Sequence, residues 1–234
     1  MIEEIDFETY LYVSRDMFQV FVYDKINQKT LYNEELKIYE KFDFQNFNNL
    51  SKFLDNNIFK IEKQTNQFIK NINLVIEDNN FLNIETGIKK NNFDQPVFKK
   101  DQITLLNYLK NDFKKNYPDL LIIHFIINKF IIDGKNFESL DTNIDYKNIC
   151  LETTFICYLK KHKLILDDIF KKYQISISKL ISAKYAKKLF LNDSLDICQM
   201  AYKVYLGYNY NEVAIIPKVR KTNSFFERFF HLFS

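Results

Sequence analysis

Glycine is nearly absent from this chain: Gly87, Gly134 and Gly207 are the only three in 234 residues. A loop that cradles phosphate needs backbone N–H groups to approach the anion with no Cβ in the way, and such loops draw on clustered glycines. No stretch of this sequence brings two glycines together, so no glycine-rich phosphate loop can form. Nucleotide chemistry starts at a disadvantage, and no enzyme activity or cofactor is expected.

The remaining composition favours packed cores. Hydrophobic residues make up 47% and aromatic residues 17% of the chain, which argues against disorder. A formal net charge of +3, with lysines interspersed among acids, is too mild for a nucleic-acid partner. Cys150, Cys157 and Cys198 are odd in number, lack metal-site spacing and lie in apolar surroundings. They read as reduced, buried small hydrophobes. The start, MIEEIDFETY, is acidic and has no apolar core of signal-peptide length. The expected location is therefore the cytosolic side of the membrane.

Alternating apolar residues and strong strand formers predict strands over 10–15 and 18–24. Lys29–Tyr39 continues the pattern, and Asn27 supplies turn chemistry, which gives an antiparallel meander. Leu50, Phe53, Leu54, Ile58, Phe59 and Ile61 recur at helical spacing and predict a helix over 47–64. Strands follow at 71–77 and 83–89, then a helix over 102–117 that stops at Pro118. The run LLIIHFIINKFIIDGKNF (120–137) is two strands or one bent strand ending at the turn Asp133-Gly134. Beyond it come a strand at 146–160, a helix at 162–173, a short strand at 175–180 and helices at 183–191 and 194–206. Gly207 stops the last of these. The fold class is α+β, in two interleaved lobes.

Within this frame most polar residues read as structural. His124 lies inside an apolar run and is expected to be a core histidine bonded to backbone. The pair Asp167-Asp168 sits on a helix amid lysines, where consecutive positions do not share a face. Asp193 is a loop or cap residue. No Ser or Cys nucleophile stands with a His and a carboxylate.

The C-terminus is different. In SFFERFFHLFS (224–234), the residues Phe225, Phe226, Phe229, Phe230, Leu232 and Phe233 share an arc of roughly 160° at about 100° per residue. Ser224 and Glu227 form a capping box, and Lys218, Arg220 and Lys221 make a cationic collar just upstream. A helix this short is marginal in water and needs a surface to fold on. Each buried ring gains on the order of 1.5–3 kcal/mol, and each basic residue near an anionic leaflet adds about 1 kcal/mol. These residues are the candidate membrane-binding site, a foot lying in the lipid interface. The competing reading docks the same helix on its own domain.

The order of elements resembles the bacterial cell-division protein FtsA, an actin-like protein that holds the FtsZ ring to the membrane. Tyr10–Asp24 (YLYVSRDMFQVFVYD) stands where that family has its first strand, phosphate loop and second strand. Ile122–Gly134 resembles its strand, His, strand and Asp-Gly segment. Residues 149–191 follow the end of the insertion and the return to the first lobe, and the C-terminal helix behind a basic linker matches the membrane-targeting sequence. The resemblance implies half of an actin-like (ribonuclease H-like) fold with an inserted SHS2-type subdomain. Its division is 1–90 for the first lobe, 91–165 for the insertion, 166–210 for the return, 211–223 for the basic linker and 224–234 for the amphipathic helix.

Two departures shape the expected function. Where the family reads Asp-Ile-Gly, this chain has Tyr12, Val13 and Ser14, a degenerate phosphate-loop position. Tyrosine does not organise a hydrated Mg²⁺ as a carboxylate does, and a Cβ at position 14 obstructs phosphate. No second Asp-Ile-Gly-Gly-Gly loop follows Leu191, so a truncated form without the second lobe is expected. The resemblance then implies a non-enzymatic peripheral membrane adaptor of the division machinery. It would bind an anionic membrane through its helix and division proteins through its insertion, with possible self-association and FtsZ contact left open. A PilM-like pilus-assembly platform and a residual actin-like ATPase are the alternatives.

Overall fold

The computed structural model describes residues 6–39, 48–91, 99–138 and 147–213, with backbone alone at 48 and 99–102. A meander of β1 (Phe7–Val13), β2 (Met17–Asp24) and β3 (Lys29–Lys37) leads into α1 (Asn48–Thr65) and β4 (Asn71–Ile76). Next come β5 (Leu82–Asn91), α2 (Lys99–Asn116), β6 (Leu120–Ile132), β7 (Lys135–Phe137) and β8 (Asn148–Leu159). The described chain closes with α3 (Lys160–Lys171), β9 (Ser176–Ser182), α4 (Ala183–Leu189) and α5 (Ile197–Tyr205).

Five strands form the first sheet in the order β3-β2-β1-β4-β9. Both β1 and β9 run parallel to β4, and β2 is antiparallel to both of its neighbours. The apolar runs of β1 and β4 are nearly continuous because helices cover both faces of this sheet. On one face Leu11, Val13, Val20, Leu74 and Ile76 pack against Leu50, Phe53 and Ile61 of α1 and Leu166, Ile169 and Phe170 of α3. On the other, Tyr10, Tyr12, Phe21, Val75 and Ile181 meet Ala183, Tyr185 and Ala186 of α4 and Ile197, Cys198, Ala201 and Val204 of α5. The expected start of α5 near Ser194 moves to Ile197, because Asp196 and Gln199 form a capping box there. Gly207 (φ 80°) ends α5 as expected, with its N–H on the Val204 carbonyl and that of Tyr208 on the Lys203 carbonyl.

Between β4 and β9 the chain builds a second sheet, β5-β8-β6-β7. The long apolar run is a single 13-residue strand, β6. It is bent by register shifts between Ile122 and His124 and between Ile127 and Lys129, and turns back into β7 through Asp133 (φ 46°) and Gly134 (φ 82°). The Asp133 carboxylate accepts the N–H of Asn148 at 2.8 Å, which ties this turn to the start of β8. One face of the sheet is covered by Leu105, Leu109 and Phe113 of α2.

Two segments belong elsewhere than the sequence reading had them. Residues 82–91, read with the first lobe, pair along their whole length with β8. Alternation marks β5 as half-buried but carries no information on which sheet it joins. Residues 211–213, read as the start of the linker, lie along β6. The Ile127 N–H donates to the Asn211 carbonyl at 2.9 Å, and the Val213 N–H to the Phe125 carbonyl at 2.7 Å.

Candidate functional site

The parallel strands β1, β4 and β9 end together at Val13, Ile76 and Ser182, and ligands of open α/β sheets bind outside such carboxyl ends. The degenerate loop position lies at this edge. Ser14 is buried and closes the turn from β1 to β2 on itself. Its N–H donates to the Met17 carbonyl at 3.0 Å, its hydroxyl donates to Asp16 at 2.7 Å, and the Met17 N–H donates back to Ser14 Oγ at 3.0 Å. The N–H groups of Ser14, Asp16 and Met17 are thus engaged within the turn. Val13 is buried in the core under α1 and α3, and its carbonyl accepts the Glu77 N–H at 2.9 Å.

Tyr12 fills the corner above this turn. It is 3% exposed, and its hydroxyl donates to Glu77 Oε2. Lys187 of α4 donates to the same oxygen at 2.6 Å, with its ammonium 5.7 Å from the centre of the Tyr12 ring. Burial, reinforced by Glu77, pushes the Tyr12 phenol well above its ordinary range. Burial alone would raise Glu77, but hydrogen bonds from Lys187 and Tyr12 outweigh it and hold this carboxyl below its usual value. The Lys187 ammonium is therefore already paired, and a phenol ring occupies the space beside it. Neither Glu77 nor Lys187 stands out in the sequence. They lie 65 and 175 positions beyond Tyr12, and only the sheet brings them together.

A second polar cluster joins the two sheets. His124 of β6 is fully buried. Its Nε2 accepts the Ser182 N–H at 3.1 Å, and its Nδ1 lies 2.7 Å from Glu212 Oε1. Glu212 also accepts from the Tyr185 hydroxyl at 2.8 Å, and that hydroxyl accepts from Asn209 Nδ2 at 2.9 Å. An imidazolium has no lone pair for the Ser182 N–H, so the ring is neutral and donates from Nδ1 to a charged Glu212. The short His124–Glu212 contact is a charge-assisted hydrogen bond, not an ion pair. Burial agrees with this by pulling the His124 pKa down against the opposing pull of Glu212. The backbone-bonded core histidine expected from sequence is present, while its carboxylate partner was not foreseen.

The other expected residues are placed as follows. Cys157 and Cys198 are buried, Cys150 is half-buried, and all three are free. Burial pushes the Cys157 thiol up to about 12. Asp167 pairs with Lys163 one helical turn away, and Asp193 lies in the turn before α5, 3.8 Å from Lys203. Lys218, Arg220, Lys221, Phe225, Phe226, Phe229, Phe230, Leu232 and Phe233 lie outside the described residues. Among the described residues, no group of three His, Cys, Asp or Glu side chains could hold a metal ion, and no helix is long and apolar enough to cross a membrane.

No family model matches the sequence, and neither does any curated protein. Among solved structures, the chain is similar to the PilM–PilN type IV pilus biogenesis complex. The TM-score is 0.51 at 4% identity, over 79% of this chain and 49% of that one. The cytoplasmic domain of EpsL, an inner membrane component of the type II secretion system of Vibrio cholerae, matches with a TM-score of 0.37 and 11% identity. That match covers 77% of this chain and 57% of the other. A Bacteroides thetaiotaomicron protein with an actin-like ATPase fold matches with a TM-score of 0.32 and 16% identity, over 83% and 61% of the two chains. The first likeness carries the assignment: the fold is actin-like. It does not single out the FtsA branch, and the chain spans only about half to three-fifths of the length of these structures.

Proposed function

We propose that this chain is a non-enzymatic adaptor that uses an actin-like fold as a scaffold at a membrane. The observation carrying this reading is the corner at the end of β1, where Tyr12, Glu77 and Lys187 occupy the space beside a turn that engages the N–H groups of Ser14, Asp16 and Met17. A lobe built this way presents surfaces without nucleotide chemistry. Lys218, Arg220 and Lys221 with the Phe225–Phe233 stripe supply the attachment, on the cytoplasmic face of the cell membrane. Apart from the three-residue β7, the unit β5-α2-β6-β7-β8 runs strand, helix, strand and strand, which supports reading it as the SHS2-type insertion and as the surface for protein partners. In the FtsA-like form of this function those partners are division proteins and the location is the division site.

A second form is favoured by the fold likeness to the PilM–PilN complex. In it the same scaffold is a pilus-assembly platform that docks a membrane partner. The two forms share the absence of catalysis and differ in what reaches the membrane. Sedimentation with anionic liposomes separates them when the intact chain is compared with one lacking residues 224–234. The adaptor with its own foot loses at least about tenfold in bound fraction on truncation, as expected for several interfacial rings and basic residues. Equal binding by both chains contradicts the foot and favours recruitment through a partner.

A further inference from the structure

Strand β5 is an edge. It pairs with β8 from Leu82↔Cys157 to Asn91↔Asn148 without a register shift, and among the described residues no strand covers its other side. A regular ten-residue edge leaves a row of backbone donors and acceptors open to another strand. The exposed face of this strand is complementary about Gly87: Glu85 and Lys89 stand two residues to either side, and Asn83 and Asn91 stand four. These residues alternate onto one exposed face, while Ile84 and Ile88 turn to the core beneath α2. Neither Glu85 nor Lys89 enters an ion pair among the described residues.

The geometry points to a two-fold pairing of β5 with β5 of a second copy of this chain, antiparallel and centred on Gly87, which joins two four-stranded sheets into one. Residues related by that axis are an even number of positions apart. A residue whose backbone groups point outward therefore meets another that also points outward, and the ladder closes. Gly87 meets itself on the axis with no side chain in the way. Glu85 faces Lys89 of the second copy, and the same contact recurs on the other side of the axis, as an isologous interface requires. A lysine alone on an edge deters pairing. A glutamate at the mirror position turns that deterrent into a preference for the chain's own copy over a foreign strand. This pairing does not depend on the reading of the Tyr12 corner.

Sedimentation equilibrium of the full-length chain tests it, with Glu85→Lys and Lys89→Glu as separate variants and circular dichroism to verify folding. Both sites are exposed, so the fold is expected to persist. The wild type shows a monomer–dimer equilibrium. Each single variant places like charges opposite each other twice and weakens the dimer about tenfold or more. An equimolar mixture of the two variants restores opposite charges at both contacts, as does the double swap E85K/K89E. Each is expected to recover the wild-type dissociation constant to within about threefold. A wild type that stays monomeric, an association that ignores both single swaps, or a mixture that fails to recover would overturn the proposal.

Discussion

Phe155→Ala lowers the stability of the chain by about 3–5 kcal/mol, the range for truncating a large buried side chain. Phe155 lies on β8, between β5 and β6 in the sheet order, and is fully buried. Its ring stacks on Phe125 at 4.3 Å and lies 4.4 Å from Phe113 of α2. Such aromatic contacts add to simple burial. No neighbour can swing in to fill the gap, because Phe125 and Phe113 are themselves buried and fixed by the same cluster. Phe59→Ala is the control: Phe59 is 70% exposed on α1, and a change of no more than about 0.5 kcal/mol is expected there. Urea unfolding followed by circular dichroism measures both. Equal midpoints for the two variants would mean that the core under α2 is not packed as described.

Glu212→Ala carries the second large effect. It strips the acceptor from two buried donors, His124 Nδ1–H and the Tyr185 hydroxyl. Each orphaned donor costs about 1–3 kcal/mol, so a loss on the order of 2–6 kcal/mol is expected. The same network sets a pH dependence. Burial holds the folded His124 below its ordinary value, with Glu212 of the terminal segment opposing and Lys179 of β9 adding to the depression. The Tyr185 ring of α4 lies tilted against the imidazole, with centroids 4.3 Å apart. The unfolded imidazole titrates near about 6.5 and takes its proton first as the pH falls. The histidine's contribution is therefore complete above that value and is lost as pH falls through the folded pKa, by at most about 1.4 kcal/mol per unit. Thermal melts at pH 7.5 and 5.5, on the order of one unit either side of that value, should show a larger drop for the wild type than for His124→Gln. An equal drop would contradict the neutral buried ring.

Much of the fold was legible because the chain writes it in long, unambiguous runs. The apolar tracts of β1, β2, β4 and β8 and the helical spacing of α1 and α3 carry their own periodicity, and Gly207 and Asp133-Gly134 mark stops that need a left-handed backbone. What depends on contact between distant segments was not legible. The alternation of β5 is the same whichever sheet it joins. Glu212 belongs to a short polar stretch that resembles a linker, and only its antiparallel bridge to Ile126 makes it the partner of His124. At the candidate site the substitutions Tyr12 and Ser14 were readable as departures from a phosphate loop. The bonds from Tyr12 and Lys187 to Glu77 that fill this corner emerge only when β1, β4 and α4 are side by side.

The proposed scaffold role requires that corner to be closed to phosphate. Isothermal titration of the full-length chain with Mg²⁺-ATP tests it most directly. The expected result is no saturable heat up to millimolar nucleotide, while saturable, Mg²⁺-dependent binding in the micromolar range would contradict it.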